Sequence, residues 1–321
     1  MEHFVTYFNT SYIPQGLCLH DSMQKKIGDF VLWILCLDDK TYNVLEEKKL
    51  NGVKLLRLSE WEDQKLLNVK KSRTFTEYCW TLTPFTPKIV FESDKTVNRV
   101  TYIDADIWFL QNPKCIFDEF DRSGKDVYIT EHAFSPDFDK SSSSGKYCVQ
   151  FVIFNREGGE MVRKYWEDCC IDWCFNKAED GKFGDQKYLD EWPERFPEKI
   201  HVAQKKEWFL APWNALRFPY SEGIIWHFHG FFFGGNYIKW YQDYKIPKPT
   251  YFNVYKPYII LAEQFFIENN DIVSKKDFKN KFYLYILALY KTLLIYCKRN
   301  YKFTKYSKIN FNEYKRKNEK N

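Results

Sequence analysis

Two carboxylates stand two residues apart where an apolar run ends, in Val100-Thr101-Tyr102-Ile103-Asp104-Ala105-Asp106. On extended backbone, Asp104 and Asp106 point the same way and can share one hard cation with a diphosphate. The spacing alone says little. Twenty-one Asp in 321 residues give about 1.4 Asp-x-Asp pairs by chance, and the chain has two. The other, Asp137-Phe138-Asp139, falls in a Pro- and Ser-rich loop and reads as solvated. Asp104 and Asp106 close an apolar strand, where a carboxylate costs solvation energy unless it has a use.

Ile224-Ile225-Trp226-His227-Phe228-His229-Gly230 supplies a second element, a strand with His227 and His229 on one face. A neutral imidazole beside two carboxylates suits Mn²⁺ better than Ca²⁺. Two ordinary histidines at a strand end are the alternative. A third element is Lys182-Phe183-Gly184-Asp185-Gln186-Lys187-Tyr188-Leu189-Asp190. Trp192-Pro193 follows and could offer a ring to a sugar face. Read alone, this segment equally suits a polar helix start capped by Asp185. Cys170 and Cys174 stand at i and i+4, but with no second ligand pair nearby they read as core cysteines.

Strands alternating with helices must position these groups. Phe4–Phe8 reads as a first strand, with Asn9–Gly16 as the loop after it and a helix through Lys26. Phe30–Leu37 is a continuous apolar run ending at Asp38-Asp39, the pattern of a buried parallel strand. Val53–Leu58, Val100–Ile103, Tyr128–Thr130 and Val149–Phe154 are further strands, and Ser72–Leu82 is a helix closed by Pro84. Over residues 160–178, Val162, Tyr165, Trp166, Cys169, Cys170 and Trp173 recur at helical steps of three and four. The sum is an α/β domain with a mostly parallel sheet, whose ligands bind outside the strands' carboxyl ends. Ile246-Pro247-Lys248-Pro249-Thr250 is a stiff connector, so residues 1–246 read as one domain and 247–321 as an aromatic, basic, helical extension.

Composition narrows the class. With 45% hydrophobic and 28% charged residues, the chain is neither disordered nor collagen-like. Nine cysteines without a C-x-x-C pair, and no signal-peptide pattern, lead us to expect reduced thiols in the cytoplasm. The net charge of +5 divides unevenly. Residues 274–321 hold fourteen Lys or Arg against three acids, hence +11, which leaves −6 for residues 1–273. That asymmetry points to an anionic partner for the tail. Phe282–Cys297 carries one charge in sixteen residues. As a helix it would span about 24 Å, short of a bilayer core of about 30 Å. Two readings stand side by side: a segment lying on an anionic membrane surface, and a helix packed on the body. No nucleic-acid motif accompanies the basic residues, so no nucleic-acid partner is expected.

Taken in order, the segments resemble the nucleotide-diphospho-sugar transferases of the GT-A fold, and most nearly glycosyltransferase family 8, which includes glycogenin and bacterial lipopolysaccharide galactosyl- and glucosyltransferases. Val100–Asp106 resembles the family's apolar strand ending in Asp-x-Asp, Gly184-Asp185-Gln186 its Asp-Gln segment, and His227-Phe228-His229-Gly230 its His-Phe-x-Gly. The chain departs from the family where Asn-Ala-Gly is replaced by Val149-Gln150-Phe151. It departs again where Lys-Pro-Trp is expected, because Phe231–Gly235 intervenes before Lys239-Trp240.

The resemblance implies a Rossmann-like central sheet flanked by helices. It also implies metal-dependent transfer of a hexose from a nucleotide-diphosphate sugar, such as a UDP-sugar, to a glycan or lipid-linked acceptor, with anomeric configuration retained. Asp104, Asp106 and His227 would hold Mn²⁺ or Mg²⁺ against the diphosphate, and His229 matches a variable position. Asn9, Thr10 and Tyr12 would approach the nucleotide, Arg73 would touch the donor, and Asp185 and Gln186 would flank the transferred sugar. Asp185 as base of an inverting reaction is the alternative. Two rivals for function are a haloacid-dehalogenase-like phosphatase and a protein that binds a nucleotide sugar without consuming it.

Overall fold

A computed structural model of the chain describes residues 1–234, 237–240 and 244–269. The basic tail 274–321 and its apolar stretch lie outside the described residues. The first strands are β1 (Glu2–Phe8), β2 (Phe30–Cys36), β3 (Val53–Arg57), β4 (Arg99–Ile103) and the short β5 (Ile107–Phe109). There follow β6 (Val127–Glu131), β7 (Tyr147–Asn155), β8 (Ile200–Val202), β9 (Phe209–Leu210), β10 (Ile225–His227), β11 (Phe231–Gly234) and β12 (Tyr237–Trp240). Between β1 and β4 come helices α1 (Ile13–Lys26), α2 (Asp39–Lys48), α3 (Gln64–Lys70), α4 (Phe75–Leu82) and α5 (Phe85–Ser93). Later ones are α6 (Lys114–Ser123), α7 (Ser141–Ser144), α8 (Glu160–Asp172), α9 (Trp192–Arg195), α10 (Lys248–Thr250) and α11 (Lys256–Asn269).

Seven strands form the main sheet in the order β3-β2-β1-β4-β7-β6-β8. The first four run parallel, β7 lies antiparallel to both β4 and β6, and β8 is parallel to β6. Every residue of β2 is buried, as a central parallel strand covered on both faces requires. After β1 the chain builds outward through β2 and β3, then returns to lay β4 on the other side of β1. The crevice at that reversal, outside the carboxyl ends of β1 and β4, is where a sheet of this kind binds its ligand. Both the Asn9–Tyr12 loop and the Asp-x-Asp turn emerge there.

Each face of the sheet has its own core. Phe4, Leu32, Ile103 and Phe151 pack with Leu17 and Met23 of α1 and Phe117 and Phe120 of α6. On the other face Val5, Trp33, Val100 and Phe154 pack with Val162, Trp166 and Cys170 of α8 and with Trp192. Gly16 lets α1 approach β1, since a Cβ there would stand 2.4 Å from the Phe8 ring. Beyond the Ile246–Thr250 connector, Tyr251, Tyr255, Tyr258 and Ala262 pack with Cys18 of α1 and with Trp226 and Phe228. Phe228 and Tyr258 stack with ring centroids 3.5 Å apart. No described helix is long and apolar enough to cross a membrane.

Local differences from the sequence expectations have local causes. The helix expected from Ser72 starts at Phe75, because Thr74 and Glu77 close a capping box that fixes its first turn. Arg73 is therefore outside that helix, and α5 separates α4 from β4. The helix expected through residue 178 ends at Asp172, with Trp173 already extended. Trp192 is fully buried against Phe154 and Trp166, so its ring packs the core and presents no face to a sugar.

Candidate functional site

The Asp-x-Asp turn is held from two sides. Asp104 N–H donates to the Gln150 carbonyl (3.2 Å), and Ile107 N–H returns to the Asp104 carbonyl (3.2 Å), reversing the chain into β5. β5 then pairs antiparallel with β10, which sets His227 opposite Ile107. Phe228 N–H donates to the Asp106 carbonyl (2.9 Å). Backbone pairing thus brings the imidazole to the carboxylates despite their distance along the chain. His227 Nε2 lies 3.2 Å from Asp106 Oδ1 and 3.6 Å from Asp104 Oδ2. One ligand atom from each residue falls within 4.8 Å of the others, an arrangement able to hold a metal ion. Tyr102 donates its hydroxyl to Asp104 Oδ1 (2.7 Å), and Gln150 Oε1 lies 2.8 Å from His227 Nδ1.

The charges here answer one another. Burial pushes the Asp104 carboxyl up, more than His227 pulls it down. Burial also opposes ionisation of Asp106, but His227 prevails and holds it below the usual carboxylate range. His227 in turn is raised well above an ordinary imidazole by Asp106, despite burial. The two carboxylates thus favour positive charge at His227. That is the place a divalent cation would take, displacing the proton. His229 lies exposed beyond the end of β10, its ring centroid 5.7 Å from that of His227. Trp213 sets its ring edge-on to both histidines.

On the β1 side, the loop is already internally bonded. Asn9 Oδ1 accepts from Ser11 N–H and hydroxyl (3.2 and 2.6 Å). Thr10 donates N–H and hydroxyl to the Asp38 carboxylate (2.9 and 2.7 Å). Asp38 also caps α2 through Thr41. Burial would raise Asp38, but these four hydrogen bonds hold it below the usual range. Tyr12 is pushed well up by burial and by the Asp106 and Asp104 charges, which places its hydroxyl in their field.

On the other side, Gly184 (φ +53°) lets the chain turn under Trp80, where a Cβ would stand 3.1 Å from the ring. Trp166 Nε1–H donates to the Asp185 carbonyl (2.8 Å) and fixes its backbone. The Asp185 side chain is buried, and its Oδ2 has no hydrogen-bond partner. Burial and the Asp104 charge push it up to about 7, against the Thr83 hydroxyl. Gln186 spends its amide on the Ser144 carbonyl (2.8 Å). Arg73 donates to the Thr81 hydroxyl and to the Ile171 carbonyl (2.7 Å), tying α4 to the end of α8. The fold thus gathers Asp104, Asp106 and His227, with Tyr12 and Asp185 within their field. The side-chain hydrogen bonds of Asn9, Thr10, Arg73 and Gln186 described above go to the surrounding frame. Asp137 and Asp139 are exposed, and Asp139 caps Ser141 (2.8 Å).

No protein-family model matches the chain. YfnD of Bacillus subtilis strain 168, an uncharacterised protein, is 30% identical over 278 residues, covering 80% of this chain and 88% of YfnD. The chain belongs to the YfnD family. YfnF of the same bacterium, also uncharacterised, is 29% identical over 251 residues, 71% of this chain and 81% of YfnF. Among solved structures, mouse xyloside xylosyltransferase 1 superposes with a TM-score of 0.50 at 14% identity, over 70% of this chain and 97% of that one. Galactosyltransferase LgtC, solved with donor and acceptor sugar analogs, gives 0.50 at 10% identity, over 86% and 98%. Glycosyltransferase GlyE of Streptococcus pneumoniae gives 0.50 at 13%, over 83% of this chain and 63% of that one. This YfnD relative therefore has the GT-A fold, a mostly parallel sheet flanked by helices.

Three residues of the site had a signal in the sequence that the reading did not use. Asp38 ends the apolar run of β2 just as Asp104 ends that of β4. Gln150 is the one amide in the otherwise apolar run Tyr147–Phe154. Tyr102 alternates with Asp104 on extended backbone, which is what brings its hydroxyl to that carboxylate.

Proposed function

We propose that this protein is a metal-dependent glycosyltransferase that moves a hexose from a nucleotide-diphosphate sugar, with UDP as the nucleotide, to a glycan or lipid-linked acceptor. The convergence of Asp104, Asp106 and His227 in the crevice at the sheet's reversal carries the reading. The solved structural neighbours support it, being a xylosyltransferase, a galactosyltransferase and a further glycosyltransferase. Two carboxylates and an imidazole, with Asp106 and His227 buried and Asp104 partly exposed, fit Mn²⁺ or Mg²⁺. Bound there, the ion would neutralise charge on the leaving diphosphate as a Lewis acid.

The chain's own groups do the rest. Asp104, Asp106 and His227 are the ligands. Asn9, Thr10 and Tyr12 border the nucleotide, with Asp38 bracing Thr10, and Arg73 borders the donor from the α4 side. Asp185 and Gln186 flank the sugar. Asp185, buried with one oxygen unpartnered and titrating at about 7, can hold a proton or a partial positive charge at C1. With retention, the acceptor hydroxyl attacks on the leaving-group side and gives its proton to the departing phosphate. The basic tail is assigned to an anionic membrane surface on its charge alone.

A haloacid-dehalogenase-like phosphatase fits less well, because Gly184-Asp185 follows turns where that chemistry wants a strand end. The deciding experiment is a manganese-dependent hydrolysis screen across nucleotide sugars, with simple phosphomonoesters included. Release of sugar from one nucleotide sugar is expected. Phosphate released from phosphomonoesters alone would overturn the reading, and tight binding without turnover would leave a binding protein.

A further inference from the structure

Gln150 is a fully buried amide within β7, one residue before Phe151, which pairs with Ile103 at the end of β4. A buried amide costs free energy unless its polar atoms are used. Gln150 uses two oxygens on two different residues of the candidate metal site. Its carbonyl accepts from Asp104 N–H at 3.2 Å, and its Oε1 lies 2.8 Å from His227 Nδ1. The other ring nitrogen, Nε2, faces Asp106 Oδ1 and Asp104 Oδ2 at 3.2 and 3.6 Å.

We infer that Gln150 is a positioning residue that fixes the orientation and tautomer of His227 for metal binding. Resting on the metal reading above, the chemistry is direct. To ligate a cation beside the two carboxylates, Nε2 must present a lone pair, so a neutral ring must carry its proton on Nδ1. That N–H needs an acceptor, and Gln150 Oε1 is in place to be one. An acceptor on the ring nitrogen opposite the metal holds the ring and raises its basicity as a ligand. A neutral amide does so without adding a third anion beside Asp104 and Asp106, where a carboxylate would add repulsion to the unloaded site. The carbonyl bond to Asp104 N–H lets the same residue set the turn that carries the two acidic ligands.

The test uses the full chain and manganese alone, with free Mn²⁺ counted by electron paramagnetic resonance. Gln150→Leu, which keeps bulk and removes the acceptor, should weaken Mn²⁺ binding about tenfold or more. Gln150→Glu, which restores an acceptor, should bind within about threefold of wild type. Gln150→Leu binding as tightly as wild type, or Gln150→Glu as weak as Gln150→Leu, would overturn the inference. A measurement that needs no variant is the ¹⁵N–¹H correlation spectrum of the histidine rings in the Mg²⁺-loaded protein. The His227 proton is expected on Nδ1, and a proton on Nε2 overturns the assignment. Failure of the metal reading is separable: wild type that does not bind Mn²⁺, or Asp106→Ala that binds it equally well, removes that reading and this inference together.

Discussion

Two clusters of buried charge lie on opposite faces of the problem, one around Arg163 on α8 and one around His227 on β10. Arg163 bonds the Glu160 carboxylate through Nε (2.7 Å) and Nη2 (2.6 Å), and through Nη1 the Glu167 carboxylate (2.8 Å) and the Pro84 carbonyl (3.0 Å). Burial would raise Glu167, but Arg163 and Lys164 keep it below the usual range. The buried pair at its centre, Arg163 and Glu167, is bonded within the protein, and it ties α8 to the start of α5. The His227 cluster sets two carboxylates against one imidazole, an excess of acidic groups. Nearby, Asp185 Oδ2 and Gln150 Nε2 are buried without partners. Saturated buried charges act as struts. Buried charges left with spare lone pairs and uncancelled charge mark a place that expects a ligand.

The largest effect should come from breaking the unsaturated cluster. Asp106→Ala removes one of two acidic ligands and should lower metal-dependent turnover by roughly a thousandfold or more, as loss of about 4 kcal/mol of charge stabilisation implies. The fold should persist, because His227 keeps Asp104 as a counter-ion. Nucleotide-sugar hydrolysis in manganese beside far-UV circular dichroism checks both halves, and full activity in the variant would refute the metal assignment.

Breaking the saturated cluster should do the opposite. Arg163→Met strands Glu167 below the surface with only lysines beside it, and should destabilise the protein by about 3 kcal/mol in urea unfolding. Its Mn²⁺ affinity per folded molecule should match wild type. A variant that lost affinity with stability would show that the two clusters are not separate in function.

Metal addition sharpens the contrast further. At a hundredfold excess over its dissociation constant, Mn²⁺ should stabilise the wild type by about 2.7 kcal/mol. Arg163→Met should gain the same increment from a lower baseline, and Asp106→Ala should gain little. Thermal unfolding with and without Mn²⁺ reads all three.

Much of the frame behind this contrast was legible in the sequence. Apolar runs closing on acids, Ile103 before Asp104 and Cys36 before Leu37-Asp38, mark strand ends on the carboxyl side of a sheet, which is where the Asp-x-Asp turn lies. Spacing puts His227 and His229 alike on a strand face, and the family resemblance ranks His227 first as a ligand. What the sequence could not show was partnership across the chain. Arg73 looks like a free cation until Thr81 and Ile171 are seen to hold it, and Trp192 looks like a sugar platform until Trp166 covers it. Gln150 stood out only as a departure from a family motif, since its bonds to Asp104 and His227 depend on how β7, β4 and β10 meet. Such contacts are set by register and packing, which composition and periodicity do not encode.

The smallest expected effect is the change that metal makes in the titration of Asp185, the partly satisfied carboxyl between these extremes. In the folded protein it titrates at about 7, against 3.8 for an ordinary aspartate. Between those two values the unfolded chain has released a proton that the folded chain still holds. Stability contributed by this group therefore falls as pH rises from about 4 to about 7, and the loss levels off above that. Asp185→Asn abolishes the titration, so its urea midpoint should decline less over that window and should exceed the wild-type midpoint at pH 8. Mn²⁺ at Asp104 would cancel part of the negative charge that raises Asp185, so saturating metal should shallow the wild-type slope and leave the variant's unchanged. Equal slopes with and without Mn²⁺ in the wild type would mean that the metal ligands and Asp185 do not share one electrostatic site.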